Sequence, residues 1–269
     1  MTTHPLLTDR AALARNRTRA NRRGPDLFLH DLAIAEIEER LNEVNRRFTK
    51  PAVVTAFPEP WANFQPQAVI CADLDTLPLV PGAHDLVIHA MALHWANDPV
   101  GQLIQCLRAL QPDGLFLAVF PGGRSLQELR ASLAEAESQL LGGLSPRVLP
   151  MGEIRDLGGL LQRAGFALPV ADSRVLDASY RDLFHLASDL RAMGEGNALS
   201  SRSRRFAPRH IFNAAARVMA TNFPADNARV TTTYELMFLT GWSPDPSQQK
   251  PLKPGSAQAR LADALKPGR

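Results

Sequence analysis

The residues of this 269-residue chain with the most chemistry to offer are His84, His89 and His94, two cysteines, Cys71 and Cys106, and two clusters of arginine. Successive side chains of a strand alternate between its faces, so a spacing of five puts neighbouring histidines on opposite sides, where they do not converge on one ion. No metal site is expected. The cysteines lie far apart and outside any C-x-x-C pair, which argues against a disulfide scaffold and fits a reducing compartment. The first arginine cluster, Arg10, Arg15, Arg17, Arg19, Arg22 and Arg23, stands against a single nearby acid, Asp9. Such a segment serves nucleic acid, an acidic membrane, organelle targeting, or a solvated helical face with partner contact. No aromatic residue interleaves the arginines as single-strand binding requires, which favours the last. Glu153, Arg155 and Asp156 read as helix surface. Gly194-Glu195-Gly196 follows a predicted helix and lacks the third glycine of a dinucleotide fingerprint, so it reads as a helix C-cap. The chain has no Walker lysine loop, G-x-S-x-G elbow or H-E-x-x-H.

Composition sets the frame for these residues. At 45% hydrophobic and 21% charged, the chain is long enough for one large domain with a lid. No apolar run approaches the roughly 20 residues of a spanning helix, and Met1 to Ala20 has no apolar signal core, so a soluble, cytoplasmic protein is expected.

The elements follow from periodicity. Ile34, Ile37, Leu41, Val44 and Phe48 recur at steps of three and four, predicting an amphipathic helix over Asp31 to Phe48. Ala52 to Phe57 and Ala68 to Ala72 read as short buried strands, with prolines 58, 60 and 66 excluding a long helix between them. Asp85 to Leu93 is a continuous apolar run of the kind buried on both faces of a parallel sheet. Asn97 or Asp98 caps a helix opening at Pro99 and ending at Pro112, and the turn QPDG leads into a strand over Leu115 to Phe120. Strand, helix, strand in this order is a βαβ unit with a right-handed crossover. Ser125 and Glu128 form a capping box for a helix to about Leu141. Further helices are predicted over 153–164, 181–193 and 208–221, and strands over 166–176 and 230–240. The reading divides the chain into a basic N-terminal arm (1–30), a main domain (31–245) with a lid insert at about 177–225, and a flexible polar tail (246–269).

The segment Cys71 to Gly123 resembles the second half of a class I methyltransferase domain, through an acid at a strand end, Leu77-Pro78, Asp85-Leu86-Val87, Leu93-His94-Trp95 and Gln-Pro-Asp-Gly. Four further segments, LSPRVLP (144–150), IRDLGGLLQRAGF (154–166), DLRAMGEGNAL (189–199) and FLTGW (238–242), are similar to the methyltransferase-like family of respiratory complex I assembly factor 5. So is NRRF (45–48) at the end of the first long helix. The resemblance implies a Rossmann-like α/β fold, mostly parallel with helices on both faces, a helical lid and a late antiparallel strand. It also implies S-adenosylmethionine as cofactor, with Asp73 near the adenine and His89, His94 and Trp95 on the methionine side. The implied partner is a complex I subunit, with hydroxylation of a protein arginine as the associated activity, at the inner membrane or in the mitochondrial matrix if the source is eukaryotic. On this reading alanine at Arg202, Arg204, Arg205 and Arg209 impairs complex I assembly and leaves thermal stability unchanged.

One family feature is missing. The turn after the first strand should be glycine-rich so that backbone approaches the cofactor, but it reads Pro58-Glu59-Pro60-Trp61, and no glycine lies between Gly24 and Gly82. About ten residues separate the first two strands, too few for the usual helix, strand and helix, and no acid for the ribose hydroxyls can be assigned. The shortened front half leaves a strand edge to be paired with a second copy or covered by the basic arm. Two functions from different classes stay open: an enzyme using S-adenosylmethionine, and a non-catalytic assembly factor that has lost it.

Overall fold

The computed structural model describes residues 6–44 and 46–249; residues 250–269 of the expected tail, and Asn45 of the NRRF motif, lie outside them. In chain order the elements are α1 (Arg10–Arg23), α2 (Phe28–Val44), β1 (Pro51–Thr55), α3 (Pro58–Phe64), β2 (Val69–Cys71), β3 (His84–Ala90), a 3-10 turn (Leu93–Trp95), α4 (Pro99–Ala109), β4 (Leu110–Pro121), α5 (Gln127–Leu141), α6 (Ile154–Ala164), β5 (Ala167–Tyr180), α7 (Leu183–Ala192), α8 (Arg209–Asn222), β6 (Pro224–Ala225) and β7 (Arg229–Trp242). The strands make one sheet in the order β2-β1-β3-β4-β7-β5, with β6 paired to β7. β2, β1, β3 and β4 are parallel, and β7 runs antiparallel between β4 and β5.

Alternation along β3 and β4 builds the two sides of the core. Leu86, Ile88, Leu115, Leu117 and Val119 face α2, α5, α7 and α8, while Val87, Phe116 and Ala118 face α4 and α6. Both faces are covered, as the unbroken apolar runs require. α4 starts where Asp98 accepts from the Gly101 N–H at 2.8 Å, with Pro99 in the first turn.

Three local expectations are corrected. α4 ends at Ala109 rather than Pro112, and the QPDG turn lies inside β4, with Asp113 at φ 57° taking the bend. The predicted capping box does not form: Leu126 stands at the N-cap of α5, and Ser125 and Glu128 turn to β7. Ser125 Oγ accepts from the Glu235 N–H and donates to its carbonyl, and Glu128 accepts from Thr233 through both backbone N–H and hydroxyl, at 2.7–3.1 Å. The reason is that β4 stops pairing at Leu236, so the preceding part of β7 must be satisfied by the turn into α5: the Gly122 and Leu126 N–H groups donate to the Glu235 and Thr233 carbonyls, and Ser125 and Glu128 take the facing N–H groups. The basic arm, thirdly, forms the expected helix but buries one face rather than covering the β2 edge. Asp9 caps α1 by accepting from the Ala12 N–H, Gly24 at φ 83° stops it, and Ala12, Leu13, Arg17 and Ala20 bury one face against α7 and the ends of the parallel strands.

Candidate functional site

Two places at the C-terminal edge of the parallel strands concentrate polar groups, and α1 divides them. In the first, β1 passes through Thr55, Ala56 and Phe57 straight into the seven-residue α3, whose Trp61 is wholly buried and donates from Nε1 to His30 Nδ1 at 2.9 Å. Asp73, just after β2, is buried. Arg17 Nη1 donates to both its carboxylate oxygens, at 2.8 and 2.9 Å, and Arg10 Nη1 reaches Oδ2 at 3.3 Å. The Arg17 side chain lies on Gly194, where an added Cβ would stand 3.1 Å from both Arg17 Cγ and the Phe57 ring. Burial, opposed by the Glu195 charge and aided by Arg17 and His94, depresses His30 to about 4.

These residues do not fit S-adenosylmethionine. The turn that should offer bare backbone carries the Phe57 ring, and both oxygens of the acid expected at the adenine are taken by Arg17. His89, on the α4 face of β3, is fully buried and bonds through Nε2 to Gln102 Oε1 at 2.7 Å, and burial depresses it to about 4.

The second place is a cavity of about 350 Å³ enclosed by α5, the 147–151 segment, α7, α8 and β7. Its wall is mostly apolar, with Leu129, Leu133, Leu149, Met151, Leu183, Phe212 and Tyr234; Arg147 and Arg191 also line it, and His94, Trp95 and Glu195 stand together at one side. Glu195 Oε2 accepts from Trp95 Nε1 at 2.7 Å and from His94 Nε2 at 3.1 Å. Burial opposes the charge on Glu195, but His94, Arg17 and Trp95 outweigh it and hold the carboxyl below its ordinary value. Its Oε1 has no hydrogen bond among the described residues, and the side chain is 21% exposed. The site therefore presents a fixed anion with one free acceptor on an apolar wall. Opposite, the Tyr180 and Tyr234 hydroxyls bond each other at 3.0 Å, and burial pushes both upward.

Of the four residues singled out in the sequence, only His94 and Trp95 come together at the cavity. Asp73 faces α1 and His89 faces α4. Glu195 was missed: Gly194 at φ 78° and the Glu195 N–H on the Leu190 carbonyl do form the expected C-cap, yet that cap aims the acid inward. The available signal was an acid between two glycines inside a family-matching segment. His84, His89 and His94 engage Lys50, Gln102 and Glu195 respectively, and no group of three metal-ligating side chains occurs among the described residues. In the second arginine cluster, Arg202 and Arg204 pair with Asp9, the cap of α1, at 2.8 and 3.2 Å.

A family model described as "Methyltransferase domain" matches residues 47–118. "Arginine-hydroxylase NDUFAF5, mitochondrial" of Danio rerio is 35% identical over 204 residues, covering 76% of this chain and 63% of that protein. The Homo sapiens protein of the same name is 37% identical over 198 residues, covering 74% and 57%. These matches extend over about three quarters of this chain, well beyond residues 47–118. The chain is similar to the NDUFAF5 proteins and has the class I methyltransferase fold. A malonyl-[acyl-carrier protein] O-methyltransferase of Laribacter hongkongensis is 31% identical over 188 residues, covering 70% of this chain and 61% of that one. This NDUFAF5-like chain spans about three fifths of the length of these curated relatives. A putative methyltransferase of Bacillus halodurans superimposes with a TM-score of 0.46 at 13% identity, over 73% of this chain and 92% of its own. Among the described residues no helix is long and apolar enough to cross a membrane.

Proposed function

We propose that this NDUFAF5-like chain is a methyltransferase-like assembly factor for respiratory complex I that receives an arginine-bearing segment of a protein partner in its cavity, at the face of the inner membrane. The observation that carries the reading is Glu195. A carboxylate held ionised by His94 and Trp95, with one oxygen free toward an apolar cavity, is matched to a guanidinium whose methylene stem needs apolar cover. The names of the NDUFAF5 relatives supply the arginine.

The chemistry assigned to this chain is recognition. With Phe57 and the Arg17–Asp73 pair standing where the cofactor's glycine turn and acid would be, no transfer step is routed through S-adenosylmethionine. The test has two arms. Calorimetric titration with S-adenosylmethionine should show no binding at millimolar ligand, and micromolar binding would return the chain to the enzyme reading. Glu195→Gln, introduced into cells that depend on this protein, should reduce assembled complex I while the variant accumulates normally. Unchanged assembly would remove Glu195 from the function.

A further inference from the structure

The six arginines of α1 are put to two uses. Arg10 and Arg17 turn inward to Asp73. Arg15, Arg19, Arg22 and Arg23, at steps of four, three and one, form a stripe opposite the buried face, and all four are exposed. Arg191 of α7 stands exposed beside them. Among the described residues none of these five guanidiniums has a carboxylate within ion-pair distance. Asp189 of α7 lies 3.9 Å from His185 instead, and burial raises its carboxyl.

The stripe is not flat. A cleft of about 380 Å³ opens between α1 and α7, with Arg19, Arg23 and Arg191 on its sides and Ser188 and Gly196 between them. Arg191 and Gly196 also line the apolar cavity, so the basic cleft adjoins the mouth of the cavity that holds Glu195. Eight helical steps from Arg15 to Arg23 carry the stripe over about 12 Å, a length that one small anion does not neutralise and an extended acidic segment does.

We propose that Arg15, Arg19, Arg22, Arg23 and Arg191 dock an acidic stretch of a protein partner, and that this stretch flanks the side chain entering the cavity. The inference rests on the cavity reading for the position of that side chain, but the charge complementarity stands on α1 and α7 alone. A protein is favoured over RNA because α1 has no aromatic residue to stack a base.

The test uses the full chain and fluorescein-labelled peptides of about twelve residues, read by anisotropy at about 0.05 and 0.3 M salt. One peptide carries Leu-Arg-Leu followed by four aspartates, a second replaces the aspartates by glutamine, a third replaces the arginine by citrulline, and an oligo(A) of the same length stands for nucleic acid. The acidic peptide should bind more than about tenfold tighter than the glutamine peptide at low salt, and that advantage should vanish in R19E/R23E/R191E and shrink at high salt. The milder R19Q/R23Q variant gives the same readout if the triple variant misfolds. Equal affinity of the acidic and glutamine peptides overturns the proposal, and so does tighter binding of oligo(A). The citrulline peptide separates the two readings: if it binds as well as its arginine parent, the Glu195 assignment fails while the acidic contrast still decides the docking surface.

Discussion

The front of the molecule, where α1, α3 and the ends of β1 and β2 meet, and the back, where α5, α7 and α8 enclose a cavity, handle buried charge in opposite ways. At the front Asp73 has both oxygens taken by Arg17, and Phe57 and Trp61 fill the adjoining space. At the back Glu195 is fixed through one oxygen only and faces about 350 Å³ of apolar cavity. A carboxylate whose partners come from its own chain is structure, and one with a free acceptor toward a cavity is available to a ligand. On the proposed reading the ligand enters the back cavity, and the front serves to hold α1 in place.

The contrast can be broken first by pH, because the two depressed histidines are buried away from the back cavity, His30 against Trp61 of α3 and His89 against Gln102 of α4. His30 and His89 titrate near 4 when folded and near 6.5 when unfolded. Between those values the unfolded chain binds more protons, so stability is lost as pH falls from about 6.5 to about 4 and is not lost further through these groups below that. At about 1.4 kcal/mol per unit the loss approaches roughly 3 kcal/mol for each histidine. Denaturant midpoints at pH 7 and 5 should differ strongly, and equal midpoints would mean that both histidines are open to water.

Next in size is the ion pair. Arg17→Ala leaves the buried Asp73 with Arg10 alone, at 3.3 Å, and should cost about 3 kcal/mol in urea unfolding, whereas a loss below about 1 kcal/mol would mark a solvated, displaceable pair. Gly194→Ala, at positive φ and against Arg17 and Phe57, should cost about 1–3 kcal/mol and loosen α1. The smallest stability effect belongs to the back: Glu195→Gln keeps an acceptor for Trp95 and should cost about 1–2 kcal/mol, while arginine-peptide affinity drops at least tenfold. If the order of these effects reverses, so that Glu195 is the stabilising residue and Arg17 is dispensable, the assignment of roles to the two regions reverses with it.

Much of the fold was legible because apolar periodicity reports burial directly. The run around Leu86 to Ala90, the Asp98-Pro99 helix start and the Gly165 stop of α6 depend on local backbone physics and appear where expected. Family resemblance supplied the topology, and the absence of glycine from the first turn was itself readable as a change in the cofactor region. Less of the site was legible. Ser125 and Glu128 carry a helix-capping pattern, but their oxygens go to Thr233 and Glu235, more than a hundred residues away, because buried strand amides outcompete helix amides that water can satisfy. The Gly194-Glu195-Gly196 cap was read correctly as backbone and missed as chemistry, since a cap's direction depends on what the helix packs against.

The sequence by itself determined the class of fold, the positions of its parallel strands and the loss of the glycine turn, because strand propensity, alternation and glycine's conformational freedom are local properties. Only the tertiary structure decided which arginine of α1 is buried and which four are free, and which acid is satisfied and which is left with an open oxygen. Those choices depend on side chains brought together across 56 residues in the Arg17–Asp73 pair and about a hundred in the His94–Glu195 pair, and separations of that order are set by packing.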